Sequence, residues 1–171
     1  MTLCAFRILL AISFLALIPV APGLAEDLKT PEDVLRRLVQ ANVEKDLPAM
    51  ARLMAQDEDA IGYTIEGRKY VGWSPFAKDM QQEFNDAARI EINVTQLKVW
   101  TRGDTAWFAM EMDYVRYVGE GKEQARMLLP LRETGVLERR KGQWILVSWH
   151  ESFRDQVALG MSTESAFPPL K

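Results

Sequence analysis

Three side chains in the second half of the sequence are the candidates for moving protons: Asp113, His150 and Glu151. A carboxyl group shut away from water keeps its proton to higher pH, because burial disfavours the charged form, and so becomes usable as a general acid or base. Glu151 alternates with Ile145, Val147, Trp149 and Phe153, the more apolar face of a strand, which would turn it toward a core or cavity. The plainer reading keeps Glu151 at the rim, solvated or paired with an arginine. Asp113 shares a face with Trp107 and Glu111, opposite Phe108, Met110, Met112 and Tyr114. His150, the only imidazole, falls on the face opposite Glu151, near Thr134 and Arg132, where a structural or interfacial role fits better than a catalytic one. One histidine among scattered acids does not make a nucleophile triad, which needs a geometry that spacing alone does not supply. Carboxylates without ligand spacing do not make a metal centre either, so no metal and no cofactor is expected. An acid–base site also wants a hydrogen-bond donor beside its carboxylate. Tyr63 and Tyr114 supply the type, yet strand alternation does not bring them together with Glu111, Asp113 and Glu151.

The elements that must position these groups are legible from period and punctuation. Thr30-Pro31-Glu32-Asp33 predicts a helix start, with a capping hydroxyl, proline at the first position and acids at the positive end of the dipole. Val34, Leu35, Leu38, Val39 and Ala41 give it an apolar stripe, and Asp46-Leu47-Pro48 restarts the pattern as a second short helix. Ile61 to Ile65 reads as a short strand followed by a turn at Glu66-Gly67-Arg68. Ser74 as cap and Pro75 as first residue predict a third helix, in which Phe76, Met80 and Phe84 recur at i, i+4 and i+8. From Arg89 the period changes to two. Strands are predicted over Ile90–Trp100, Ala106–Val118, Arg126–Glu138 and Gln143–Phe153, joined by turn signals that imply antiparallel pairing. Pro130 points to an edge position or a bulge.

Helices followed by a meander of long strands predict an α+β architecture with the helices on one face of the sheet. Long strands twist strongly, so the sheet curls around the helices and can leave a cavity. Tyr63, Trp73, Phe76, Met80, Phe84, Met110, Met112 and Trp149 are its expected lining. Methionines adapt their shape, which suits a tolerant apolar pocket, although each of these residues serves equally as plain core. Trp144 and Leu146 fall on the outer face by the same alternation, and covering them is the reason to expect a homodimer.

The first 25 residues read as an address. Arg7, the apolar run Ile8–Val20 and the small-residue site Ala21-Pro22-Gly23-Leu24-Ala25 have the anatomy of a secretory signal peptide, against the rival of an uncleaved anchor. Cys4 would leave with it, and residues 26–171 hold no other cysteine, so neither disulfide nor thiolate chemistry is expected in a periplasmic or secreted product. One domain over residues 26–153 and a loose extension over 154–171 are expected, with no stable membrane insertion after cleavage. The formal net charge of −3 argues against a nucleic-acid binder, since that needs a concentrated basic surface. The one basic run, Arg139-Arg140-Lys141, sits at a hairpin tip.

This layout resembles the NTF2-like (cystatin-like cone) superfamily, in particular its SnoaL-like domains. The sharper match is Thr134-x-Val136 followed by Arg139-Arg140-x-Gly142-x-Trp144-x-x-Val147-x-x-His150-x-Ser152, similar to the end of the calcium/calmodulin-dependent kinase II association domain and its bacterial relatives. Asp104-Thr105-Ala106-Trp107 after a glycine turn is a pattern of the same group. The resemblance covers about Thr30 to Phe153. It implies a conical pocket between sheet and helices, used in the superfamily by isomerases, dehydratases and cyclases, by ligand binders and by assembly modules. The association domain's pocket arginines fall on Gly135 and Glu151 here, a departure that weighs against recognition of a small carboxylate. Three functions follow as expectations: a binder of a small, mostly apolar molecule, a cofactor-free isomerase or lyase working through a pocket carboxylate, or an oligomerisation module.

Overall fold

The computed structural model describes residues 28–119 and 125–154; the leader segment and the tail beyond Arg154 lie outside the described residues. Helix α1 spans Pro31–Val43. Its start is a reciprocal capping box: the Thr30 hydroxyl accepts from the Asp33 amide and the Asp33 carboxylate accepts from the Thr30 amide. Helix α2 (Leu47–Leu53) follows at once because Asp46 caps it, accepting from the Ala49 amide. Helix α3 covers Trp73–Asp86, and here the expected cap is corrected. Gly72 rather than Ser74 is the N-cap, with φ +75° and no side-chain cap bond. The glycine makes the sharp entry, its amide held by the Ala60 carbonyl, and Pro75 falls in the first turn, where the missing N–H costs nothing.

Among the described residues, six strands form one mixed, open sheet: β1 Ile61–Tyr63, β2 Lys69–Val71, β3 Ala87–Arg102, β4 Thr105–Val118, β5 Ala125–Arg140 and β6 Gln143–Phe153, in the spatial order β2-β1-β6-β5-β4-β3. The four long strands are an antiparallel meander, and the helices pack on one face as an α+β cone. Two features were not anticipated: the short strand β2, and the parallel pairing of β1 with β6. The Lys141-Gly142 turn has positive φ at both residues (53° and 86°), the hairpin geometry that matches strand twist. Strand β5 is interior, not an edge, and no register shift falls at Pro130. The proline is tolerated because it lies one residue beyond the last β5–β6 pair, Leu131 with Phe153.

Bulges bend the sheet. Thr95 is the extra residue between Val94–Met112 and Gln96–Glu111, and its hydroxyl bonds the Glu111 carbonyl. Val147 is the extra residue between Val136–Ser148 and Leu137–Leu146. Because side chains alternate with period two, one inserted residue exchanges the faces. Trp144 and Leu146 therefore point to the helix side, 3% and 4% exposed in the main core, while beyond the bulge Trp149 (4%) shares that side. This corrects the outer-face placement of Trp144 and Leu146 and removes the reason first given for a dimer.

On the inner face, large rings stand over glycines. The cross-strand row runs Val99, Phe108, Gly135, Trp149, Gly62. A Cβ at Gly62 would lie 2.1 Å from the Trp149 indole, and one at Gly135 would meet the Ser148 carbonyl oxygen at 2.2 Å and the Phe108 ring at 2.7 Å. Only glycine lets the two rings lie flat against the backbone.

Candidate functional site

The next inner row is chemically different. It reads Leu97, Met110, Glu133, Glu151, each residue the register partner of the next. Strands β5 and β6 thus place two glutamates directly opposite each other, on the floor of a cavity of about 490 Å³ between the sheet and the three helices. That size suits a small organic molecule. Much of its wall is apolar: Leu35 and Leu38 from α1, Met50 from α2 and Met54 just after it, Phe76 and Met80 from α3, Met110, Met112 and Tyr114 from β4, Leu131 from β5, and Trp149 and Phe153 from β6. Flexible methionines on four elements, α2, α3, β4 and β5, give it adaptable walls.

Glu133 and Glu151 are half-buried, and the surface they keep faces the cavity rather than bulk water. Enclosure, and after it the neighbouring charge of Glu151, together push the Glu133 carboxyl up to about 8. Enclosure also raises Glu151; with the backbone of Ile65 opposing and the charges of Glu83 and Glu66 adding, it comes to about 7. The two protons belong to the pair more than to either residue. Among the described residues, no basic side chain forms an ion pair with either glutamate.

The cavity's two basic lining residues are engaged nearer the surface. Arg68 pairs with Asp79 at 2.5 Å, and the Tyr70 hydroxyl donates to the same carboxylate at 2.8 Å. Arg116 approaches Glu83 at 3.7 Å, and the Tyr114 hydroxyl donates to Glu83. Burial and the Glu83 charge hold the Tyr114 phenol well above its ordinary pKa, so it stays a neutral donor.

Of the residues singled out from sequence, Phe76, Met80, Met110, Met112, Trp149 and Glu151 line this cavity. Phe84 is buried in the core without lining it, and Trp73 packs on Phe76 with ring centres 5.7 Å apart. Tyr63 and His150 lie together on the outer face, ring centres 5.9 Å apart and edge to face. Asp113 also faces outward and pairs with Arg154 at 2.9 Å, so it is separated from Glu151 by the sheet itself. Its carboxylate is held by that arginine and does not line this cavity. Glu133 was missed. Alternation with Leu131 and Leu137 would have put it on the inner face, but only the bulge brings it opposite Glu151. Among the described residues, no three histidine, cysteine or acidic side chains converge to hold a metal ion.

The family model for the SnoaL-like domain matches residues 32–156, most of the sequence. The chain belongs to this family. Solved structures of NTF2-like proteins share the fold. An NTF2-like superfamily protein from Salmonella enterica superposes with a TM-score of 0.66 at 12% identity, over 79% of this chain and 93% of its own. A Streptomyces avermitilis protein of the NTF2-like family, described as a candidate dehydratase, gives 0.64 at 16% identity, over 70% and 91%. A Thiobacillus denitrificans protein, described as a candidate calcium/calmodulin-dependent protein kinase type II association domain, gives 0.61 at 20% identity, over 74% and 96%. Among curated proteins none matches. At these identities the likeness is one of fold, and the SnoaL-like cone hosts several functions.

Proposed function

We propose that this SnoaL-like domain binds a small, mostly apolar molecule in the cone. The observation that supports this is the cavity itself: about 490 Å³ walled by methionine, leucine and aromatic side chains, with two polar groups converging on its floor. The test is a neutral apolar dye such as Nile red, titrated into the protein and its Met110→Trp and Met112→Trp variants. Saturable binding of one dye per chain is expected, weakened about tenfold or more by either bulky side chain. Equal binding by all three proteins would place the dye elsewhere and end the reading.

A second reading is favoured by the glutamate pair. Two carboxyls facing each other with raised pKa values share a proton near neutrality, the state a cofactor-free isomerase or lyase uses to give and take protons. Tyr114 adds a neutral hydroxyl on the same floor. If Glu151→Gln leaves a measured turnover intact, acid–base chemistry at this pair is excluded; Asp113→Asn is the matched outer-face control.

Residues 1–25 are proposed as an export leader, which would put the domain, residues 26–153, in the periplasm or outside the cell. Residues 154–171 are proposed as an extension. A homodimer is proposed through the outer sheet face, where Trp100 and Trp107 stack with centres 6.1 Å apart while 36% and 40% exposed.

A further inference from the structure

We propose that the cone selects an apolar organic cation, an amine-bearing molecule whose ammonium group sits between Glu133 and Glu151 while its hydrocarbon part fills the methionine-lined cavity. This rests on the reading of the cone as a small-molecule site and names the class of ligand. Three observations carry it. First, the floor is short of positive charge. Six acidic residues line the cavity (Glu66, Asp79, Glu83, Asp86, Glu133, Glu151) against two arginines; Arg68 is held by Asp79 and Glu66, and Arg116 lies 3.7 Å from Glu83 with its Nε unpartnered.

Second, Glu133 is enclosed by protein, faces the cavity and has no hydrogen-bond partner among the described residues; Met110 and Glu151 are its cross-strand neighbours. An enclosed carboxyl without a donor is costly unless a proton or a cation accompanies it. A ligand cation would supply that charge to both glutamates at once. Third, the cavity beside Glu151 presents aromatic surface. Trp149 precedes it by two residues on the same face, and Phe76 packs on Trp149 with centres 4.9 Å apart. Carboxylates flanked by indole and phenyl faces are the combination that recognises ammonium groups.

The groups facing the pair fix the pH dependence. Glu83 from α3 and Glu66 from the β1–β2 turn hold Glu151 protonated to higher pH, Tyr114 donates to Glu83, and Arg116 and Arg68 are paired with the rim acids. Without ligand the pair carries proton near neutrality; an ammonium displaces it. Binding of the cation therefore releases proton and strengthens as pH rises through the range where the pair ionises.

The experiment compares phenylbutylamine, phenylbutanol and phenylbutyrate, three probes of one shape and different charge, by calorimetry at about pH 5.5 and about pH 8.5. The amine is expected to bind at least about tenfold tighter than the alcohol at the higher pH, and the butyrate weakest of the three. Amine binding near pH 7 should release proton, seen as different heats in two buffers of different ionisation enthalpy. The paired substitution Glu133→Gln with Glu151→Gln should abolish the preference and keep alcohol binding, which also shows the pocket intact. If the alcohol matches or exceeds the amine on the unaltered protein, the cation assignment is wrong while the cone remains a binding site. If none of the three binds, the small-molecule reading itself falls.

Discussion

The two faces of the sheet treat their acidic side chains in opposite ways. On the outer face, Asp113 has Arg154 at 2.9 Å, and Glu111 is the register neighbour of Arg132. On the inner face, Glu133 has only Met110 and Glu151 across its strand edges, and Glu151 has Glu133. An acid that serves the fold is found beside its cation. An acid that sits opposite another acid, in an apolar cavity, works against the fold. Such a site is explained by what it does for a ligand or a proton, and the inner face is where this chain carries that load.

The largest expected effect lies in the glycine–aromatic row that supports the floor. Gly62→Val puts a branched side chain where the Trp149 indole already lies, and Gly135→Arg drives one into the Ser148 carbonyl and Phe108. Each should cost roughly 3–5 kcal/mol or leave the chain unfolded, as overpacking against backbone or a rigid ring does. Gly67→Ala, at a turn with open space around it, should cost only about 1 kcal/mol through its positive φ of 79°. Chemical denaturation of the three proteins reads the difference. If Gly62→Val melts with the unaltered chain, the inner row is not a packed platform.

Next comes the acid pair against the outer acid. A carboxyl whose pKa is raised in the folded chain keeps its proton there after the unfolded chain has lost it. Stability from Glu133 and Glu151 is therefore undiminished below about pH 4.5 and falls as pH rises to about 8. Glu133→Gln removes that loss. The variant should exceed the unaltered protein by roughly 1–3 kcal/mol at pH 8.5, the gap closing toward pH 5, because replacing one of two enclosed like charges relieves both. Thermal melts across that range check it. A variant less stable at high pH would mean that Glu133 has a partner worth more than the repulsion it suffers.

How much of this was legible depends on one residue. The helix starts at Thr30 and Asp46, the Lys141-Gly142 turn and the face of β4 carrying Phe108, Met110 and Met112 all follow from local chemistry acting over a few residues. The site does not. Counting back from the turn without a bulge pairs Glu133 with His150 and leaves Glu151 on the other face of the sheet. Val147 as an extra residue brings Glu133 opposite Glu151 and turns Trp144 and Leu146 inward. Val147 looks like any strand valine, and its displacement is decided by contacts distant in sequence: it packs with Ala55 and Ala60, and the Ala55 amide bonds the Leu146 carbonyl. The outer pairing of Asp113 was hidden for a related reason, since its partner Arg154 stands 41 positions away.

The smallest expected effect is at that outer pair. Asp113→Asn removes one charge from an ion pair whose side chains are each about 30% exposed, and such pairs contribute roughly 0.2–1 kcal/mol. Salt should erode even this, because partly exposed charges are screened over about 8–10 Å at ordinary ionic strength. The contrast with Glu133→Gln is then one of sign as well as size: the outer substitution destabilises slightly, and the inner one stabilises at high pH. Denaturant midpoints measured at low and high salt separate the two. A loss above about 2 kcal/mol for Asp113→Asn would show that the Arg154 contact anchors the end of β6. In that event the outer face would hold a carboxylate on which the cone's shape depends, and the inner face none.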